Sequence, residues 1–260
     1  MPGATVTPVE QPLPSNATIG VVRVGDTVRR PVGPATATID ALLTHLAAVG
    51  FVGAPRPLGR DERGRQVLSW MPGRTGDPQT GLPARRLGAL GRLLRDLHEA
   101  TAGWSPPVDA VWEQAIPPDR LEVVGHGDPG PWNIVDGPSG LVLIDWDAAG
   151  PTSVGWELAY AAQTCALGSP GGLRNLVDGY GLDKTGRREL GPLLPQRAQA
   201  MVTLLETGHR TGRQPWARIH NEDGDHWRAV TEHLRDQEAT YAKALFERRV
   251  GDEDGVASHE

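Results

Sequence analysis

The stretch His126-Gly-Asp-Pro-Gly-Pro-Trp-Asn133 decides the reading of this chain, together with Asp145 in the string Leu141-Val-Leu-Ile-Asp-Trp-Asp147. Short hydrophobic strands flank both loops, so an H-x-D-x-x-x-x-N loop and an I-D-W-D loop are presented close together. That brings Asp128, Asn133 and Asp145 within reach of one another. A carboxylate to take a proton, with an amide and a second carboxylate to hold a divalent metal, is a donor set suited to phosphoryl transfer.

Working outward towards the N-terminus, residues 1–15 are polar and Pro-rich and read as an extended arm. Residues 19–30 give strand, turn, strand, with Gly25-Asp26 as the tight turn of a hairpin. A helix is predicted over 38–49, with Leu42, Leu43 and Leu46 on one face and Gly50 as its stop. Two more strands are expected at 55–58 and 66–70, around the charged turn 60–64. Residues 74–82 read as a polar linker, and Leu87, Leu90, Leu94 and Leu97 recur at helical spacing beyond it. After a helix beginning near Trp156 the remainder is read as helical. Asp225 is taken as the N-cap of the last apolar stripe. The divisions drawn are a small lobe over 1–73, a helical lobe over 74–250 and an acidic, disordered tail over 251–260.

Composition narrows the partners. A length of 260 residues with 38% hydrophobic content fits one large domain or two modest lobes. No run suits a bilayer span, and the first residues lack the pattern of a secretory signal. The single cysteine, Cys165, excludes an internal disulfide. These features predict a cytoplasmic protein, a monomer or homodimer without membrane contact. A net charge of −6 argues against nucleic acid as partner and leaves room for a cationic substrate. Lysine occurs only at Lys184 and Lys243, so arginine stands in for it generally.

A small β lobe, a hinge, a helical lobe and the paired loops, in that order, resemble the aminoglycoside phosphotransferase and choline kinase-like branch of the protein kinase-like fold. The strings Ile144-Asp-Trp-Asp147-Ala-Ala-Gly-Pro and Trp156-Glu-Leu-Ala-Tyr160 look like the bacterial phosphotransferase enzyme family in particular. The resemblance implies an α+β, bilobal fold with a β-rich N-terminal lobe. It implies a kinase that uses ATP or GTP and Mg²⁺ to phosphorylate a hydroxyl of a small molecule: an aminoglycoside, another antibiotic, an amino alcohol or a sugar. By the same resemblance Asp128 is the base and His126 a brace of the catalytic loop, while Asn133 and Asp145 are the metal ligands. Ser69, Trp70 and Met71 form the adenine-facing hinge, and Ser15 and Asn16 lie in the loop over the phosphates.

Three departures from the family pattern concern the nucleotide, the first being that the loop over the phosphates has no G-x-G-x-x-G. The phosphate-pairing lysine is replaced in Thr27-Val-Arg-Arg30; strand alternation sets Arg29 and Arg30 on opposite faces, and Arg30 is chosen as the phosphate ligand. The next helix offers Asp40 in place of a pairing glutamate. Other candidates carry a bland reading beside the sharp one. Asp147 either assists metal or substrate, or bonds the turn. Glu157 touches substrate or, as favoured, suits the start of a helix. Trp104, Trp112 and Trp132 line an acceptor cleft or pack, and His98 is read as a satisfied buried histidine. Asp109, Glu113, Asp147 and Glu157 are compatible with a cationic acceptor. The rival functions are a nucleotide-binding pseudokinase and a metal-dependent hydrolase using His98, His126, Asp128 and Asp145.

Overall fold

The computed structural model describes residues 9–13, 20–166 and 169–247. Ser15, Asn16 and the acidic tail therefore lie outside the described residues. Strands β2 (Val22–Val24) and β3 (Thr27–Arg30) form the expected hairpin, with Val24 opposite Thr27. Gly25 supplies the left-handed turn at φ 58°. β3 pairs with β5 (Gln66–Ser69), β5 with β4 (Pro57–Arg60), and β1 (Gln11–Pro12) adds to β2. The result is an antiparallel sheet of order β1-β2-β3-β5-β4.

Helix α1 (Thr36–Ala48) follows β3 and buries Leu42, Leu43 and Leu46. It stops at Gly50, which adopts φ 84° so that the Phe51 N–H can reach the Leu46 carbonyl at 2.9 Å. The segment after β5 is not a plain linker. Arg74–Thr75 (β6) pairs with Val135 and Asp136 of β8 (Ile134–Gly137), itself in a hairpin with β9 (Gly140–Leu143). Such a short polar strand carries no alternation signal of its own; its partner strand recruits it. Gly73 makes the close approach possible, because a Cβ there would stand 2.5 Å from the Asp136 carbonyl oxygen.

Helix α2 (Ala84–Thr101) buries Leu87, Leu90, Leu94 and Leu97, the stripe seen in the sequence. β7 (Val123–Gly125) pairs with β10 (Gly150–Thr152), and helices α3 (Val154–Cys165), α4 (Pro170–Tyr180), α5 (Lys184–Thr211), α6 (Trp216–Asp236) and α7 (Glu238–Phe246) complete the chain. Asp225 is not a cap: it lies inside α6, exposed, and pairs with Arg228 at 2.6 Å. An exposed helical aspartate with a cation three residues on is tolerated, so α6 extends back to Trp216. One hydrophobic cluster runs from α1 and β5 through α2 to Ile134, Leu143, Trp146, α3 and α4. The two lobes thus share a core, and the two loops of interest are built on it. Among the described residues no helix is long and apolar enough to cross a membrane.

Candidate active site

The catalytic-type loop leaves β7 through Gly125-His126-Gly127. Both glycines are demanded by close approach. A Cβ at residue 125 would stand 2.4 Å from a Glu157 carboxylate oxygen, and one at residue 127, where φ is 79°, would stand 2.1 Å from the Ala148 carbonyl oxygen. His126 is fully buried between them. Its Nε2–H donates to the Ile144 carbonyl at 2.9 Å, which leaves Nδ1 to accept the Asp128 N–H at 3.3 Å. Its ring also meets the buried Trp146 edge-on, with centroids 4.8 Å apart. His126 therefore ties the Asp128 loop to the Asp145 loop, and Ile144 N–H to the Asn133 carbonyl at 2.9 Å is a second tie.

Under this loop sits Glu157, at the start of α3. Its Oε1 accepts the backbone N–H of His126 at 2.6 Å and of Gly127 at 2.9 Å, and its Oε2 accepts from His98 Nε2. His98 Nδ1 in turn bonds the Tyr180 hydroxyl at 2.9 Å. Burial alone would raise the Glu157 pKa, but the His98 hydrogen bond and charge and the Gly127 N–H outweigh it and hold the carboxyl below its usual range. With a 1% exposed side chain, Glu157 is a buried brace, the structural one of its two readings. Helix-start position favours a carboxylate, but what fixes Glu157 is the pair of loop amides it serves.

Asp128 is pinned by one oxygen. Oδ2 accepts Asn133 Nδ2 at 2.8 Å and Trp132 Nε1 at 3.2 Å, while Oδ1 is buried without a hydrogen-bond partner. Burial raises the Asp128 pKa, against the opposing pull of the Tyr160 hydroxyl and the Trp132 N–H. Asn133 also donates Nδ2 to the Asp128 carbonyl at 3.1 Å, so its side-chain oxygen is directed away from Asp128. Trp132 is accordingly a positioning group for Asp128, not a cleft wall.

Asp145 is the sole non-glycine residue with positive φ among the described residues, at φ 60° and ψ 71°. Aspartate tolerates this region better than most residues, and such outliers concentrate at functional sites. Arg30, 7% exposed at the end of β3, lies between two acids of the Asp145 loop. It hydrogen-bonds Asp147 Oδ2, and its Nη2 is 3.2 Å from Asp145 Oδ1, which is nonetheless outside hydrogen-bonding geometry. Alternation thus places Arg29 and Arg30 as expected, with Arg29 turned towards Asp61 at 3.8 Å. The expected partner is corrected, however: Asp40 bonds Gln66 and Arg60, each at 2.7 Å, and its place beside Arg30 is taken by Asp145 and Asp147. Asp40 thus serves β4 and β5, whereas the Asp145 loop meets the end of β3 at Arg30.

The hinge residues are engaged within the small sheet. The Trp70 N–H donates to the Asp26 carbonyl at 2.9 Å, and the Arg23 guanidinium lies 4.3 Å from the Trp70 ring centroid. Ser69 Oγ accepts the Arg56 N–H at 2.9 Å and contacts the Met71 sulfur at 3.6 Å. The Trp70 amide is therefore already paired within the small sheet, and its ring is covered by Arg23. Trp104 and Trp112 meet edge-on, and both pack against the hydrophobic core.

A cavity of about 120 Å³ opens beside Asp128. Its walls include Gln114, Thr152, Trp156, Tyr160, Arg197 and Trp216, none of which was singled out from the sequence for this role. The signal was present for one of them. On α5 the buried stripe Leu190, Leu194, Ala198, Met201, Leu205 contains Arg197, a charge where the helical period demands an apolar residue.

The family model of the phosphotransferase enzyme family matches residues 101–193, which span both loops and their braces. A trifolitoxin immunity protein of Rhizobium leguminosarum bv. trifolii is 40% identical over 190 residues, 64% of this chain and 72% of that protein. The chain belongs to the phosphotransferase enzyme family. Solved structures agree on the fold of this family member. A choline/ethanolamine kinase family protein from Mesorhizobium loti superposes with a TM-score of 0.66 at 16% identity, covering 93% of this chain and 94% of that one. An amicoumacin kinase in complex with AMP-PNP, Ca²⁺ and Ami superposes at 0.59 with 11% identity, covering 88% of each chain. The hydrolase alternative has no geometry within this phosphotransferase-family site. His98 is committed to Glu157 and Tyr180, His126 to the backbone, and no group of three His, Cys, Asp or Glu side chains converges among the described residues.

Proposed function

We propose that this family member transfers the γ-phosphate of ATP or GTP to a hydroxyl group of a small molecule. The observation that carries the proposal is the state of Asp128. One oxygen is locked by Trp132 and Asn133, and the other is buried, unpartnered and beside a cavity large enough for an acceptor group. A base held this way can receive an acceptor hydroxyl without rearranging.

The residues fit a divalent metal of the Mg²⁺ type. Asp145 Oδ1 is buried without a hydrogen bond, and Asn133 directs its side-chain oxygen away from Asp128; both are hard oxygen donors. When bound, Mg²⁺ supplies charge neutralisation on the phosphate oxygens. Arg30 stands at the Asp145 edge of the site, and in this reading it exchanges a carboxylate for a phosphate oxygen when nucleotide enters. The nucleotide and divalent cation in the amicoumacin kinase structure, a protein of the same fold, support the cofactor assignment.

Asp128→Ala is expected to lower kcat by about 10²- to 10⁴-fold, the usual share of a general base. Nucleotide affinity should remain within a factor of two, by calorimetry with Mg-AMP-PNP. Full turnover in the variant would remove Asp128 from the base role. One observation favours a second reading, a nucleotide-binding protein without turnover. Arg30 is engaged with both Asp145 and Asp147, the groups a metal and phosphate would need. Mg-nucleotide binding with no ADP release across a broad panel of hydroxyl compounds would select it.

A further inference from the structure

Arg197 is 95% buried at the wall of the cavity beside Asp128, since its relative exposure is 5%. Its guanidinium carbon lies 4.2 Å from the Tyr160 ring centroid and 5.6 Å from that of Trp156. Among the described residues it makes no hydrogen bond or ion pair, and its Nη1 is buried without a partner. The nearby acids are committed elsewhere. Glu157 serves His98 and two loop amides, and Asp128 Oδ2 serves Trp132 and Asn133. A buried charge with no hydrogen-bonded counter-ion is a costly state for a side chain. Two aromatic faces offset part of that cost and orient the planar fork without neutralising it. Burial indeed pushes the Arg197 pKa down, with Tyr160 and Asp128 only partly opposing it.

We infer that the acceptor is an anion, a hydroxy acid whose carboxylate sits on Arg197 while its hydroxyl reaches Asp128. Guanidinium and carboxylate match in a bidentate pair, and the aromatic walls of Trp156 and Tyr160 exclude water from it. This rests on the phosphotransfer reading and names its substrate class. In the step, the acceptor hydroxyl oxygen bonds to the γ-phosphorus. The bond from that phosphorus to the bridging oxygen breaks, its electron pair leaving on the nucleoside diphosphate, and the hydroxyl proton passes to Asp128. Two acids, Asp128 and Glu157, line the cavity, but both are employed: Asp128 receives the hydroxyl, and both oxygens of Glu157 are taken by His98 and the loop amides, while Asp147 faces Arg30, so a cationic group finds no acid left to pair with it.

The full-length protein saturated with Mg-AMP-PNP is titrated with glycolate, lactate, glycerate and gluconate, with their carboxamides, and with ethanolamine and choline. At least one acid should bind ten-fold or more tighter than its amide. Arg197→Met should abolish that preference, and Arg197→Lys should keep part of it. The melting temperature of unliganded Arg197→Met should be unchanged or raised, because an unpaired buried charge is removed; a structural arginine would show a loss. The inference falls if no acid binds, if acid and amide bind alike, if the amines bind better, or if Arg197→Met weakens AMP-PNP itself ten-fold, which would assign the arginine to the nucleotide. Acid binding that depends on Arg197 with no phosphate transferred from Mg-ATP would leave this inference standing and overturn the phosphotransfer reading. Phosphorylation confined to the amines would do the reverse.

Discussion

The back and the front of the Asp128 loop are built to opposite rules. At the back, Glu157, His98, Tyr180, His126 and two loop amides form a buried chain in which each acceptor oxygen of Glu157 has its donor. At the front, Asp128 Oδ1, Asp145 Oδ1 and Arg197 Nη1 are buried with no hydrogen bond. Only five such side-chain atoms occur among the described residues, and three of them ring this one site. Folding energetics alone would remove buried polar atoms that lack a hydrogen bond. Their concentration on one face says that this face is completed by ligands, and the saturated network behind it is what keeps them in place.

Breaking the back should therefore cost more than altering the front. Glu157→Ala strands His98 and two buried amides, and is expected to lower stability by roughly 3–5 kcal/mol, as for a buried pair that loses one partner. Urea unfolding measures it. The pH dependence follows the same carboxylate. Its folded pKa is lowered, so its stabilisation is present above the ordinary carboxylate pKa and is lost as pH falls through the lowered value. The variant should lack this acid-side loss. If Glu157→Ala unfolds at the same urea concentration as the parent, the back of the loop is not the support described here.

The next largest effect separates crowding from backbone strain. Gly127→Ala meets both, a positive φ and a carbonyl oxygen 2.1 Å from the new methyl. Gly25→Ala, at φ 58° with nothing within 4 Å, meets strain alone. The first should lose about 2–3 kcal/mol together with its activity, since Ala148 cannot withdraw without moving the Asp145 loop. The second should lose about 1 kcal/mol and keep its activity. Equal losses would mean that the contact between the two loops is not rigid.

What was legible in the sequence divides along the same front and back. The paired loops, the hairpin ending in Arg30 and the leucine stripe of α2 could be read because each depends on residues close together in the chain. The partners of Arg30 could not, because Asp145 and Asp147 come to it through the stacking of two lobes more than a hundred residues apart in sequence. The dual service of Glu157 to His126 and His98 is hidden for the same reason. Arg197 was legible in part. A charge inside an apolar helical stripe is visible in a single sequence, but that it faces Asp128 is set by how α5 packs on α3.

The smallest expected change is also the one that tests the comparison most directly, because it alters one atom at the front. Asp128→Asn keeps an oxygen to accept from Trp132 and Asn133 and removes the charge that burial disfavours. The folded pKa of Asp128 is raised, so its ionised form is penalised in the native protein. The penalty is therefore present at neutral pH and vanishes as pH falls through the raised value towards the ordinary aspartate value of about 3.9. The variant should melt at or slightly above the parent at pH 7, by about 0.5–1 kcal/mol, and the gap should close on acidification. Transfer should be lost at every pH. In the parent, kcat/KM should fall on the acid side with a midpoint above that of an exposed aspartate. A loss of stability in Asp128→Asn at neutral pH would show that the Asp128 carboxylate holds the loop as Glu157 does, and the division between a sealed back and an open front would not hold.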